Sequence, residues 1–327
     1  ITEAVLAHPA RMPALLAERL AVSRATARRH LDRLVQAQWL ERVGGRGRGA
    51  TYRPGALRAV VRRYPLEGLM EDLPWAHDFA PNFELRPNVA RIVQHVFTEL
   101  LNNAIDHSGG TRVTVSMRQT PSQVQLLVSD DGRGVFDVVA ERFGIADPTM
   151  AMLELAKGKL TSQPERHAGR GLFFCARLAD VFDLHANHSA FQQRGWQRGQ
   201  WWPLERSACQ AGSAVYVAVR TDTERSLDAV LQKHSLDGQG YGFDCTVVPL
   251  RLMTGPDVGV EARAQARRVA ERLTQFKRVE IDFEGLSDVG HGFADELFRV
   301  FGARHPGVEI VPVNMAPRVA AMAGSVR

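Results

Sequence analysis

Thr98-Glu99-Leu100-Leu101-Asn102-Asn103-Ala104-Ile105-Asp106-His107-Ser108 closes an apolar-periodic stretch that starts near Asn88, and its reading decides the fold. Ile92, Val96, Leu100 and Ala104 recur at helical spacing, so a helix is expected over residues 88–106 with one face packed inward. Glu99 and Asn103 are four apart, which sets a carboxylate and an amide on one face of that helix. Outward from it, residues 112–118 and 123–129 alternate as a strand pair and run into Asp130-Asp131-Gly132-Arg133-Gly134-Val135. A long polar stretch precedes Gly169-Arg170-Gly171-Leu172-Phe173-Phe174, which opens a helix expected to run through Val181. Gly212-Ser213-Ala214-Val215-Tyr216-Val217 then returns to strand. Singly these are weak signals, because glycine turns of this kind occur in many unrelated loops.

In this order and spacing the set resembles the GHKL (Bergerat-fold) ATP-binding domain of gyrase, MutL and histidine kinases, over about residues 75–220. The resemblance implies ATP and Mg2+ as ligands. Asn103 matches the asparagine whose side-chain oxygen holds the Mg2+, and a hard cation already carrying phosphate oxygens and water needs few protein ligands. Glu99 stands where hydrolysing members carry the general base that orients water. Asp130 matches the aspartate that accepts from the adenine amino group, while Gly132 and Gly134 let the backbone approach the base. Gly169, Arg170, Gly171 and Leu172 stand at a helix start whose free N–H groups can face phosphates. Ser213 matches a hydroxyl that helps hold adenine. Residues 136–168 would form a mobile lid, with Lys157, Lys159 and His167 as candidate phosphate contacts and His107 as a candidate phosphate neighbour.

Two departures narrow that resemblance. Histidine kinases carry a basic residue where Asp106 stands, and their phospho-accepting His lies on an upstream two-helix hairpin. Neither His30 nor His77 opens such a hairpin, so autophosphorylation on His is not expected. The transducer module that follows the domain in gyrase and MutL is not evident either. His185 and His188 mimic a metal pair without a third ligand, so zinc is not expected.

The formal charge of +5 is unevenly spread: residues 1–63 carry thirteen Arg and four acids, or +9, and the rest carries −4. Two short helices, 2–8 and 13–20, precede Ser23, a good N-cap for a third. In that third helix Ala27, Leu31, Leu34 and Val35 form a core stripe, leaving Arg24, Thr26, Arg28, Arg29 and Arg33 facing out. Strands 40–43 and 50–53 flank Gly44-Gly45-Arg46-Gly47-Arg48-Gly49, a basic hairpin tip. This resembles a winged helix-turn-helix and implies double-stranded DNA as partner, with the third helix in the major groove and Arg46 and Arg48 on the wing. Arginine forks suit phosphates and guanine edges alike. The same residues leave open a solvated basic helix or a protein-docking winged helix.

Beyond residue 221, helix and strand alternate again, ending in Ile281-Asp282-Phe283-Glu284-Gly285-Leu286-Ser287-Asp288-Val289-Gly290-His291-Gly292-Phe293, which resembles a STAS-like domain. The turn where STAS antagonists carry a phosphorylatable Ser reads Gly290-His291-Gly292, and Ser287 is the nearest hydroxyl. Asp295 and Glu296 suit the start of a helix. Helices are expected at 227–234, 261–275 and 293–301, and strands at 245–250, 278–283 and 308–313. Residues 63–86 read as a connector.

The expected architecture is a multidomain α/β (α+β) chain: a winged helix over 1–63, a Bergerat-type α/β sandwich over 64–224 and a small STAS-like domain over 225–327. No apolar run is long enough to span a membrane and no signal peptide is recognised. Cys175, Cys209 and Cys245 lack CxxC spacing and fit free thiols, hence a cytoplasmic location. The function expected is an ATP-responsive DNA-binding transcriptional regulator, a homodimer that hydrolyses ATP slowly and meets another signalling protein through its tail. The alternatives are an anti-sigma-type serine/threonine protein kinase acting on a partner, or a signalling scaffold whose winged helix binds protein.

Overall fold

The computed structural model describes residues 1–44, 50–145, 148–160, 169–187, 189–194, 200–201, 211–240, 242–253 and 259–326. The chain opens with α1 (Thr2–Ala7), α2 (Met12–Leu20) and α3 (Arg24–Gln36). α2 ends at Ala21 in the left-handed region, φ 52°, and Ser23 Oγ accepts from the Thr26 N–H at 3.2 Å, so the expected N-cap starts α3 after a tight turn. Val5, Met12, Leu16, Ala27, Leu31, Leu40 and Tyr52 form a small core of their own. An antiparallel ribbon follows, β1 (Leu40–Val43) with β2 (Thr51–Pro54). The tip that carries Arg46 and Arg48 lies outside the described residues.

β3 (Arg58–Pro65) crosses the boundary expected after residue 63 and takes over the start of the expected connector. It pairs along its length with β4 (Arg112–Gln119), because Val60 and Tyr64 alternate inward as strand residues do. Arg58, Arg62 and Arg63, counted in the cationic head, therefore sit on this sheet. The sheet has seven strands in the order β3-β4-β5-β9-β6-β7-β8, all neighbours antiparallel. The others are β5 (Gln123–Asp130), β6 (Val181–Ala186), β7 (Ser189–Arg194), β8 (Gln200–Trp201) and β9 (Ser213–Arg220).

Before α5 come α4 (Asp72–Pro74), a π-helical turn Trp75–Phe79 and a 3-10 turn Ala80–Asn82, which set Trp75 and Phe79 against Phe97 with ring centroids 5.3 and 5.1 Å away. α5 (Pro87–His107) buries Ile92, Val96, Leu100 and Ala104 against the sheet, as its period requires. α6 (Val135–Phe143) and α7 (Pro148–Lys157) pack on each other. α8 (Gly171–Leu178) stops short of the expected Val181, since Ala179 is already extended, ψ 152°, and the Phe182/Leu184/Ala186 alternation belongs to β6.

The C-terminal part holds α9 (Leu227–Lys233), β10 (Cys245–Pro249), α10 (Arg263–Ala270), β11 (Arg278–Asp282), α11 (His291–Ala294), β12 (Glu309–Val313) and α13 (Pro317–Ser325). α11 continues through a π-helical stretch, Asp295–Phe301, into α12 (Gly302–Arg304). The three strands are parallel, in the order β10-β11-β12. The helix expected over 261–275 breaks after Ala270, where Arg272 takes φ 62° and turns back toward α7. One hydrophobic core runs from α5 and the seven-stranded sheet into this smaller domain. Among the described residues no helix is long and apolar enough to cross a membrane. Cys175 and Cys245 are free thiols; Cys209 and His188 lie outside the described residues.

Candidate functional site

A cleft of about 290 Å³ opens between the last turns of α5, the helix α6 and the start of α8. Glu99, Asn103, His107, Gly169, Arg170, Gly171 and Leu172, widely spaced in sequence, all line it. A second pocket of about 60 Å³, walled by Asp130 and Ser213, adjoins it, and Asn103, His107 and Leu172 line both.

At the deep end, Asp130 finishes β5. Its Oδ1 accepts from the Gly132 N–H at 2.9 Å and the Ser213 N–H at 3.2 Å, and among the described residues no hydrogen bond falls on Oδ2. Burial raises the Asp130 pKa, and the two amide bonds pull against that rise. Gly132 lies flat on the end of α5: a Cβ there would stand 2.2 Å from Ser108 O, to which the Arg133 N–H donates at 2.9 Å. The neighbouring Asp131 is a clamp. It accepts from the Arg112 N–H, the Thr111 hydroxyl and the Thr111 N–H at 2.7–2.9 Å, and these bonds hold its pKa down.

Ser213 has a second task. Its Oγ accepts from the Val135 N–H at 2.9 Å, capping the first turn of α6. Gly134, φ 82°, starts that helix where a Cβ would meet Asn187 Nδ2 at 2.7 Å. Asn187, which sequence reasoning missed, occupies the left-handed region at φ 49°. It donates to Arg133 O at 2.8 Å and to Asp137, and its Oδ1 accepts from the Gly212 N–H at 3.3 Å. Its signal was a lone Asn between two strand-patterned runs, a residue type that visits this conformation readily.

At the polar end, Asn103 Nδ2 is buried without a hydrogen-bond partner among the described residues. Gly171 opens α8 directly against Glu99, and a Cβ on it would stand 2.3 Å from Glu99 Oε2. The carboxylate therefore lies at the helix end where unsatisfied N–H groups gather.

The two lysines expected to reach phosphates do not line the cleft. Lys157 is fully buried, paired with Glu154 and donating to Glu271 O at 3.0 Å, and burial lowers its pKa. Lys159 donates to Gln275 O at 2.5 Å with its ammonium 4.6 Å from the centre of the Phe276 ring. His167 lies outside the described residues. The reason is tertiary: within the expected lid, the described stretch 154–159 is held by the C-terminal part of the chain. Arg272 donates to Glu154 at 2.6 Å and to Gly158 O and Lys159 O at 3.0 and 2.6 Å, and Thr246 Oγ1 donates to Lys157 O at 2.6 Å. Leu155 of α7 lines the cleft itself.

On α3, Arg24, Arg28, Arg29 and Arg33 are exposed, while Thr26 is half-buried and accepts from Arg29 at 3.2 Å. Asp32, Glu41 and Glu3 are taken by Arg42, Arg53 and Arg62. Among the described residues the four α3 arginines have no carboxylate partner.

An antiparallel sheet under α5 and α8, with this cleft between α5 and the glycine-opened α8, defines a histidine-kinase-like nucleotide-binding domain. Residues 70–190 match the family model described as histidine kinase-like ATPase domain. Residues 265–320 match the STAS-like domain of unknown function (DUF4325). The chain is thus a multidomain α/β protein carrying an ATPase-like and a STAS-like domain. No curated protein matches it.

Proposed function

We propose that the chain is an ATP·Mg2+-responsive regulator whose N-terminal module binds double-stranded DNA. The observation that carries this reading is the pair of adjoining pockets that place Asp130 and Glu99 on either side of Asn103, with an α7 wall held by the STAS-like domain. The residues suit the ligand. The Asn103 amide, whose Nδ2 has no hydrogen-bond partner among the described residues, can present its oxygen to Mg2+ by a half-turn. Asp130 keeps Oδ2 for the adenine amino group, and α8 offers amides to phosphates. Bound Mg2+ would neutralise phosphate charge, leaving Glu99 to orient water and hold its proton in slow hydrolysis.

The coupling follows from α7. A nucleotide that tightens the cleft shifts Leu155, and with it the Glu154–Arg272 contact that anchors the STAS-like domain. That shift is a change of populations, so it requires nucleotide to bind the two arrangements differently. On α3, four arginines without carboxylate partners would meet phosphates or guanine edges. The test is fluorescence anisotropy with mixed-sequence duplex DNA, with and without a non-hydrolysable ATP analogue. Wild-type binding that changes with nucleotide, and is lost in Arg28→Ala/Arg29→Ala, supports the reading. No DNA affinity at low salt contradicts it.

A second reading, an anti-sigma-type serine/threonine kinase, draws on the exposed Ser287 in the loop between β11 and α11. It predicts stable label from the γ-phosphate on Ser or Thr of this chain or a partner; label confined to free phosphate rejects it.

A further inference from the structure

Behind α8 lies a second, larger cavity of about 770 Å³, between the seven-stranded sheet and one face of the three-stranded sheet. Phe173, Phe182 and Phe191 form its wall on one side, and Val247, Pro249 and Val313 on the other. Five cations and two carboxylates also line it. Most of these charges are already matched. Arg194 is paired with Asp183, Arg225 with Asp180 at 2.8 Å and Arg251 with Glu284 at 3.4 Å. Glu280 lies 3.8 Å from Arg278, and Asp282 accepts from Asn314 at 2.9 Å.

Asp282 has only neutral donors among the described residues, so the remainder, Arg177 and Lys233 against that one carboxylate, is net positive. Arg177, half-buried on α8, donates to Phe173 O at 3.2 Å and lays its guanidinium 3.3 Å from the centre of the Phe173 ring. Among the described residues it has no carboxylate partner, and burial lowers its pKa to about 9. Lys233 stands exposed at the rim, also without a carboxylate partner among the described residues. A desolvated charge without a counter-charge works against stability. A cavity with an apolar body and a few convergent polar groups is what such a charge can serve.

We infer that this cavity is a second ligand site, separate from the nucleotide cleft, that takes a small organic anion. Its acidic group would sit on Arg177 and Lys233, and its apolar body between Phe182, Phe191 and Pro249. Leu155, Leu172 and Phe173 line both cavities, so the occupant shares a wall with the nucleotide cleft.

The test is a fluorescence titration of the full chain with anilinonaphthalene sulfonate, an anionic group on an aromatic body. Arg177→Met keeps the packing on Phe173 and removes the charge, and it is expected to weaken saturable probe binding about tenfold, the worth of a charged hydrogen bond, without lowering the melting temperature. Lys233→Glu, on an exposed rim, is expected to weaken it several-fold and decides the matter if the first variant folds poorly. Asp130→Asn, in the nucleotide cleft, should leave probe affinity unchanged. Wild-type affinity in both the Arg177 and Lys233 variants, or loss confined to Asp130→Asn, would overturn the assignment.

Discussion

Arg272 of the STAS-like domain donates to Glu154 on α7 at 2.6 Å, with only 17% and 3% of the two side chains exposed. Lys157, fully buried, takes the other Glu154 oxygen, so two cations share one carboxylate inside an otherwise apolar junction. Backbone carbonyls of Gly158, Lys159 and Glu271 accept from further N–H groups of those cations. The turn that breaks the helix after Ala270 exists to deliver Arg272 to this point.

Glu154→Ala should therefore be costly, because it leaves two buried cations facing each other. A loss of about 3–5 kcal/mol is expected, the usual penalty for removing one partner of a buried pair. Arg272→Ala should cost less, since Lys157 still balances Glu154. Urea unfolding of the three proteins checks this, and a Glu154→Ala loss below that of Arg272→Ala would refute it.

His234 gives the protein an acid limit. Its ring is buried among Phe173, Phe174 and Phe243 with Nδ1 3.0 Å from Cys245 O; burial first, then the Arg177 charge, lowers its pKa to about 4. The unfolded imidazole takes up its proton near pH 6.5, before the folded one does, so this stability is present above pH 6.5 and lost as pH falls toward 4. The loss by pH 4.5 should be about 2–3 kcal/mol. Other acidic groups titrate in both proteins, so the measurement is the wild-type minus His234→Gln difference in unfolding free energy at pH 7 and pH 4.5. A difference that does not change with pH would dispose of the prediction.

The Gly132 contact separates backbone necessity from ordinary flexibility. A Cβ there would stand 2.2 Å from Ser108 O, so Gly132→Ala must push the Asp130 loop off α5. It should cost about 1–3 kcal/mol, in the range of overpacked interiors, and abolish nucleotide binding. Gly302→Ala, on α12 with nothing within 4 Å of the added carbon, should instead be neutral or stabilise by up to about 1 kcal/mol. Thermal melts read both, and equal effects would mean the loop is not seated as described.

The α3 arginines make a quantitative claim about salt. If Arg24, Arg28 and Arg33 meet phosphates, each Ala substitution should lower the slope of log affinity against log salt by about 1. A set of variants with the wild-type slope would show that DNA, if bound, is held elsewhere.

Much of this molecule is legible in sequence where period and glycine chemistry act locally. α5 follows from its apolar spacing, the Asp130 loop from its glycines, α3 from Ser23. Glu99, Asn103, Asp130 and Ser213, far apart in the motif order, line two adjoining pockets that share Asn103. What escaped depends on partners remote in the chain. β3 escaped because the boundary expected after residue 63 cuts through it, and only pairing with β4 makes Arg58–Pro65 one strand. Lys157 and Lys159 look like solvent-facing lid residues until the STAS-like domain arrives to cover them. Asn187 and Asp131 hold the loop through contacts with residues 19–54 positions away, which no local pattern encodes.

The central claim is that this cleft binds ATP·Mg2+ through Asp130 and Asn103. Isothermal titration of the full chain with a non-hydrolysable ATP analogue and Mg2+, repeated for Asp130→Asn and Asn103→Ala, tests it most directly. The account predicts one site in the wild type, weakened at least about tenfold in Asp130→Asn by loss of a buried charged hydrogen bond, and loss of the Mg2+ dependence in Asn103→Ala. No binding to the wild type, or equal binding by all three, would contradict it.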